Sequence, residues 1–253
     1  MTEPAAHPRG VVVTGAAQGL GRAILQGFAE AGSSVVGLDL SGGVEEVVGE
    51  LGPGHDAVVG DAGDAAVLSR AVTRAAELGG GLATFVANAG VIAPGETVTY
   101  RLEDWDRVLA VDLRAAFVGA QVARPLMGAG SSMVMVSSVS AAQGFAARAS
   151  YCAAKAGVEG LVRSLATEWG PDGIRVNAVA PGTVATDMQR AMLASGRVSA
   201  ERYLDRIPMA RFGRPSEIAD AVVFLASPRA SYVSGVVLPV DGGWVAGGLP
   251  ATV

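Results

Sequence analysis

The stretch VVVTGAAQGLG, residues 11–21, decides the fold. Three valines and a threonine form a short β-branched run, Gly15 ends it, and the loop beyond leads into a helical pattern over 19–31. A strand that is apolar without alternation is one covered on both faces. Gly15, Gly19 and Gly21 permit a tight turn and let backbone N–H groups approach a pyrophosphate at a helix N-terminus. Their spacing differs from the common GxGxxG, so the loop takes its meaning from its place between a strand and a helix.

Six further runs resemble the first: 34–39, 56–61, 83–90, 132–138, 174–181 and 235–243. Amphipathic segments separate them at 44–51, 64–79, 103–128, 150–169 and 216–226, and Ser216 after Pro215 reads as an N-cap. Strand and helix in alternation along a whole chain predict α/β architecture, a doubly wound parallel sheet of about seven strands with helices on both faces. No linker, repeat or charge run divides the chain, so residues 1–253 are expected to form a single domain, with the irregular stretch 183–213 folded over the sheet edge as a substrate lid.

Composition narrows the function. Half of the 253 residues are hydrophobic and 17% are charged, enough apolar material for a large core. The net charge of −5 and the lack of a basic run argue against nucleic acid as a partner. The two histidines, His7 and His55, stand apart from any cluster of metal-ligand spacing, so no metal is expected, and no GxSxG elbow is present. Cys152 alone forms no intrachain disulfide and is read as helix packing. The start MTEPAAHPRG lacks the pattern of a signal peptide and no apolar run reaches about 18 residues, so the expectation is a cytoplasmic protein with no membrane contact.

The second strand ends at Asp39, eighteen residues after Gly21. A carboxylate there accepts hydrogen bonds from ribose hydroxyls and repels a 2′-phosphate. The glycine loop carries no Arg or Lys and Leu40 follows the aspartate, so the expected cofactor is NAD rather than NADP.

TGAAQGLG (14–21), NAG (88–90), Ser138 thirteen residues before Tyr151, YCAAK (151–155) and PG (181–182) occur in that order. On these motifs the chain resembles the short-chain dehydrogenase/reductase family over essentially its full length. The resemblance implies that Tyr151 is the general acid/base exchanging a proton with the substrate oxygen, that Lys155 assists it and holds the nicotinamide ribose, and that Ser138 hydrogen-bonds the substrate oxygen. A free tyrosine has a pKa of about 10, too high for a base near neutrality, and a nearby ammonium favours its phenolate. The resemblance also implies cofactor contacts from Gly15, Gln18, Gly19, Leu20, Gly21 and Asp39, from Asp61 and Ala62 near adenine, from Asn88, Ala89 and Gly90 on the adenosine side, and from Pro181, Gly182, Val184 and Thr186 near the carboxamide and pyrophosphate. It further implies a homotetramer with helices 103–128 and 150–169 pairing across subunits. The tail 244–253 is expected to pack on a neighbouring subunit or to fray.

One position departs from the family pattern. Where V-N-L is usual the chain reads Val111, Asp112, Leu113. Asp112 is expected to keep the asparagine's proton relay, to stabilise the charged Lys155 and to raise the pH optimum.

The small-molecule substrate is bounded only loosely. Residues 91–98, 139–148 and 183–207 should wall it, with Gln143, Phe145, Met188, Met192 and Tyr203 giving a partly apolar pocket, and Arg148 reads as an exposed loop arginine. A secondary alcohol or its ketone is the leading class. A 3-oxoacyl thioester reductase would more often want NADPH and a basic residue at position 18 or 40, and a non-catalytic dinucleotide-binding sensor would not need the Ser138, Tyr151 and Lys155 set.

Overall fold

A computed structural model describes residues 9–186, 189, 190, 194 and 199–247. Met188, Met192, His7 and the last six residues of the tail lie outside them. Seven parallel strands form one sheet in the order β3-β2-β1-β4-β5-β6-β7. They are β1 (Gly10–Thr14), β2 (Ser34–Asp39), β3 (Asp56–Val59), β4 (Leu82–Ala87), β5 (Met127–Val136), β6 (Arg175–Pro181) and β7 (Val237–Val240). The order reverses between β1 and β4, the switch point at whose carboxyl ends a sheet of this kind receives its ligand.

The valine run of β1 shows why the sheet is parallel and covered. Val12 faces a core built with α3 (Ala65–Gly79), α5 (Ala115–Ala123) and α6 (Ala149–Trp169). Val11 and Val13 face a second core built with α1 (Gly19–Glu30), α2 (Gly43–Gly49) and α8 (Pro215–Ala226). Alternate side chains point to opposite faces, and both faces are dry.

Several details differ from the sequence expectation, strand ends among them. The segment 103–128 is not one helix: α4 (Leu102–Leu109) runs into a π-helical turn at Ala110–Arg114, then α5, and the chain enters β5 at Met127. Pro125, inside a 3-10 turn, supplies no N–H to continue α5. The N-cap of α8 is Arg214 rather than Ser216, because Pro215 takes the first helical position, where its fixed φ suits the helix, and the Glu217 carboxylate accepts from Arg214 N at 2.8 Å. Trp244, at the start of the tail expected to pack on a neighbouring subunit or to fray, is buried within its own chain.

Two buried polar side chains on β6 fix the far edge. The Arg175 guanidinium donates to the carbonyls of Leu225, Ala226 and Ser227 at the end of α8. The Asn177 amide bonds Val233 O and Val236 N on the way into β7. Replacing Arg175 removes a buried donor from each of these carbonyls, Ala226 O keeping a second bond from Ser132 Oγ at 3.3 Å. Arg175→Met is therefore expected to cost about 2–4 kcal/mol, read as a lower urea midpoint with an unchanged slope.

Candidate active site

Tyr151 and Lys155 occupy successive turns of α6. The Lys155 ammonium is buried, donates to Val136 O at 3.0 Å and lies 5.5 Å from the centroid of the Tyr151 ring. It pairs with Asp112 Oδ2 at 3.3 Å. Asp112, in the π-helical turn, points inward, where the side chain is 2% exposed and Oδ1 accepts from Val91 N at 2.7 Å. Gly90 passes so close that a Cβ there would sit 3.0 Å from Asp112 Oδ2 and 3.4 Å from Lys155 Nζ.

Burial alone would lower the Lys155 pKa. The Asp112 carboxylate and the Tyr151 oxygen outweigh that effect and hold the lysine above its ordinary range. Burial likewise pushes the Asp112 carboxyl up, against the pull of Lys155 and the Val91 N–H. Ser138 lies two residues past the end of β5, with Oγ accepting from Ser140 N at 3.1 Å to cap the short turn 139–141. Its side chain is thereby oriented next to the end of the strand that also carries Val136 O.

The glycine loop lies at the sheet's switch point. Gly15 has φ +68°, and a Cβ on Gly21 would fall 1.9 Å from Gly15 O. The first turn of α1 thus meets the end of β1 with no side chain between, and Gln18 at the N-cap makes no side-chain capping bond. This bare cradle with outward N–H groups suits a pyrophosphate. Thr186 stands across it, its methyl 3.8 Å from where a Gly19 Cβ would be. Asp39 ends β2, and its two oxygens accept from Ala17 N and Ser41 N, each at 2.9 Å. Gly60 N donates to Asp39 O at 2.8 Å, which brings the exposed Asp61 and the half-buried Ala62 to the same end of the sheet.

Asn88 does something motif reading did not anticipate. Its side-chain amide donates to Thr14 O at 2.8 Å and Gly15 O at 3.1 Å. Thr14 Oγ1, also missed, accepts from Asn88 N and Ala89 N at 3.0 and 3.1 Å. The amide therefore clamps the glycine loop. A threonine where β1 and β4 diverge was the available signal. Farther along the sheet, Pro181 ends β6, Gly182 runs against Asp241, and Val184 is bridged to Gly213.

Beyond Ser138 the chain builds an aromatic cluster of Val139, Tyr203, Ile207 and Trp244, with Phe145, Phe212 and Val245 packed on it. Arg148 is not an exposed loop arginine. It is half-buried, donates to Tyr203 Oη at 2.6 Å and covers the Phe145 ring at 5.2 Å. The stretch 91–98, expected to wall the substrate, is tied to α6 by Tyr100, whose hydroxyl donates to Ala93 O at 2.6 Å and meets Ser150 Oγ at 2.8 Å.

Residues 15–245 match a protein-family model described as enoyl-(acyl carrier protein) reductase. A short-chain type dehydrogenase/reductase of Sinorhizobium fredii is 41% identical over 94% of this chain, which spans 44% of that longer relative. Cis-4-hydroxycyclohexanecarboxylate dehydrogenase of Sinomonas cyclohexanicum is 42% identical over 94% of this chain and 97% of its own length. The crystal structure of a putative NAD(P)-dependent gluconate 5-dehydrogenase from Beutenbergia cavernae, with NADP bound at low occupancy, superimposes with a TM-score of 0.87 at 39% identity, covering 94% of this chain and 96% of that one.

Gly21→Ala forces its new methyl onto the Gly15 carbonyl. The substitution is expected to weaken binding of a nicotinamide dinucleotide by at least about tenfold, measured as NADH or NADPH fluorescence enhancement on titration.

Proposed function

The chain belongs to the short-chain dehydrogenase/reductase family, and on that premise we propose that it interconverts a secondary alcohol and its ketone with NAD(H), using Tyr151 as the general acid/base. The observation that carries this reading is the buried Lys155 ammonium, held between Asp112 and the Tyr151 ring.

A bound nicotinamide dinucleotide supplies the hydride acceptor or donor. The chain's own residues manage the proton. In the oxidation direction Ser138 Oγ holds the substrate hydroxyl, and the Tyr151 oxygen takes its proton as the carbon–oxygen double bond forms. Lys155 stabilises the negative phenolate and, through Asp112 and Val136 O, stays fixed and charged. In reduction the same oxygen returns the proton.

The cradle residues Gly15, Gln18, Gly19, Leu20, Gly21, Asp61, Ala62, Asn88, Ala89, Gly90, Pro181, Gly182, Val184 and Thr186 are proposed to hold the dinucleotide. Asp39, the neutral Gln18 and the exposed Leu40 favour NAD. The Beutenbergia structure holds NADP, and turnover with NAD⁺ and NADP⁺ in parallel tests the selectivity. The segment 183–213 is proposed as the substrate lid, supported by the Val184–Gly213 bridge at its base and by Tyr203 in the aromatic cluster. A homotetramer through the helical face of α4, α5 and α6 is proposed from the apolar side chains left open there, Leu102 and Phe117.

Steady-state NADH formation over a panel of secondary alcohols, with NADP⁺ in parallel, tests the reading. Tyr151→Phe should lower kcat by about 10²–10⁴-fold while NADH still binds. Turnover confined to NADP⁺ would overturn the role given to Asp39, and an unimpaired Tyr151→Phe the mechanism.

Asp112 sets a pH dependence. Its carboxylate helps raise the Lys155 pKa, so in Asp112→Asn burial dominates and that pKa falls. The ammonium is then lost at lower pH, and the alkaline limb of the kcat/KM profile should move to lower pH in the variant. A superimposable profile would show that the carboxylate does not act on Lys155.

A further inference from the structure

We propose that Ser137 and Glu159 are positioning residues: the hydrogen bond between them fixes the end of β5 against α6 and so sets Ser138 relative to Tyr151. This rests on the oxidoreductase reading above and deepens it.

Tyr151, Lys155 and Glu159 recur every four residues along α6 and share one face of it. Two consecutive residues where β5 ends address that face. Val136 O accepts from Lys155 Nζ at 3.0 Å. Ser137 Oγ donates to Glu159 Oε1 at 3.0 Å and lies 3.4 Å from Lys155 O. A serine hydroxyl carries a single hydrogen, and the shorter contact, to the carboxylate, takes it. The next residue in the chain is Ser138.

Strand alternation brings Ser137 to this place. Met133 and Met135 face the core under α6, whereas Val134 and Val136 face the opposite core, so the next side chain on the α6 side belongs to Ser137. It is 2% exposed, where an apolar residue would simply extend the core. Its N–H donates to Val179 O at 2.8 Å and continues the ladder with β6. Ser137 is thus tied to β6 by its backbone and to α6 by its side chain. On the other side of Ser138, Val139 is packed in the aromatic cluster with Trp244 and with Tyr203 of α7 (Ala200–Leu204). Ser138 therefore stands between two anchored neighbours.

Apolar packing between a helix and a strand is non-directional, and it leaves the helix free to settle by fractions of an ångström along its axis. A hydrogen bond to a carboxylate is short and directional, and it removes that freedom. The reaction needs it removed, because Ser138 on one element and Tyr151 on the other must both reach one substrate oxygen. A misplacement of about 1 Å costs about 10²-fold in rate. Glu159 is half-buried, so water can reach its carboxylate once Ser137 no longer donates, and the fold survives the change.

The test follows NAD⁺-linked oxidation of the best substrate in the secondary-alcohol panel, with hydrogen or deuterium on the carbinol carbon. The variants are Ser137→Ala, Glu159→Ala, Glu159→Gln and the double alanine variant, and NADH titration counts the intact sites in each. Each single alanine variant is expected to lose about 10–10²-fold in kcat and kcat/KM together. The deuterium isotope effect should grow, because hydride transfer is the step that slows, and the NADH stoichiometry should stay full. The double variant should lose no more than the worse single variant, since both break the same bond. Glu159→Gln keeps a carbonyl oxygen to accept from Ser137 and should recover most of the rate. Rates equal to wild type, losses that add in the double variant, or a loss matched by missing NADH sites would overturn the positioning role and leave the oxidoreductase reading standing. NADH binding by the wild-type chain without turnover of any alcohol, or of the matching ketones in reverse, would overturn both.

Discussion

At the carboxyl ends of β1 and β4 two halves of a parallel sheet part, and something must hold them together while leaving room between them. The chain solves this with small groups and short polar reaches. Thr14 Oγ1 accepts from the backbone of Asn88 and Ala89, and Asn88 reaches back to the carbonyls of Thr14 and Gly15. Gly15 and Gly21 touch with no side chain between them, so α1 starts directly on top of the strand. Every other feature of the switch point is placed relative to this joint, because α1 and β4 both leave from it.

The Asp112–Lys155 pair hangs from the same joint. The chain passes from Ala89 through Gly90 to Val91, whose N–H fixes Asp112, and Asp112 in turn fixes Lys155. A buried ammonium is costly unless paired, and here a carboxylate, a strand carbonyl and a tyrosine ring surround it. Asp112 faces inward because it shares the buried face of its helix with Val108 and Ala116, four residues to either side. Placing the charge on the helix rather than in solution makes its effect on Lys155 strong and little screened by salt.

The strands and the glycine loop were legible in sequence because their signals are local. β-branched runs bounded by glycine form strands, and a strand-loop-helix with three glycines has few other uses. The helix across 103–128 was misread because hydrophobic period carries through a π-helical turn and because one proline, Pro125, ended the helix without disturbing the apolar pattern. Ser216 was misassigned as a cap because it is a good capping residue in isolation, while Pro215 beside it took the first helical position.

Sequence by itself determined the alternation of strands and helices and the order of motifs that places the chain in its family, and it singled out Ser138, Tyr151, Lys155 and Asp112 as candidates. Those follow from short-range spacing, which the chain carries whatever it folds into. Only the tertiary structure decided that Asn88 clamps the glycine loop, that Asp112 and Lys155 pair out of water, and that Trp244 joins Phe145 and Tyr203 beside Ser138. Each of these joins residues dozens to a hundred positions apart. Contact at that range is set by how the two apolar faces of the sheet are covered and by where its strands end, not by the residues near either partner.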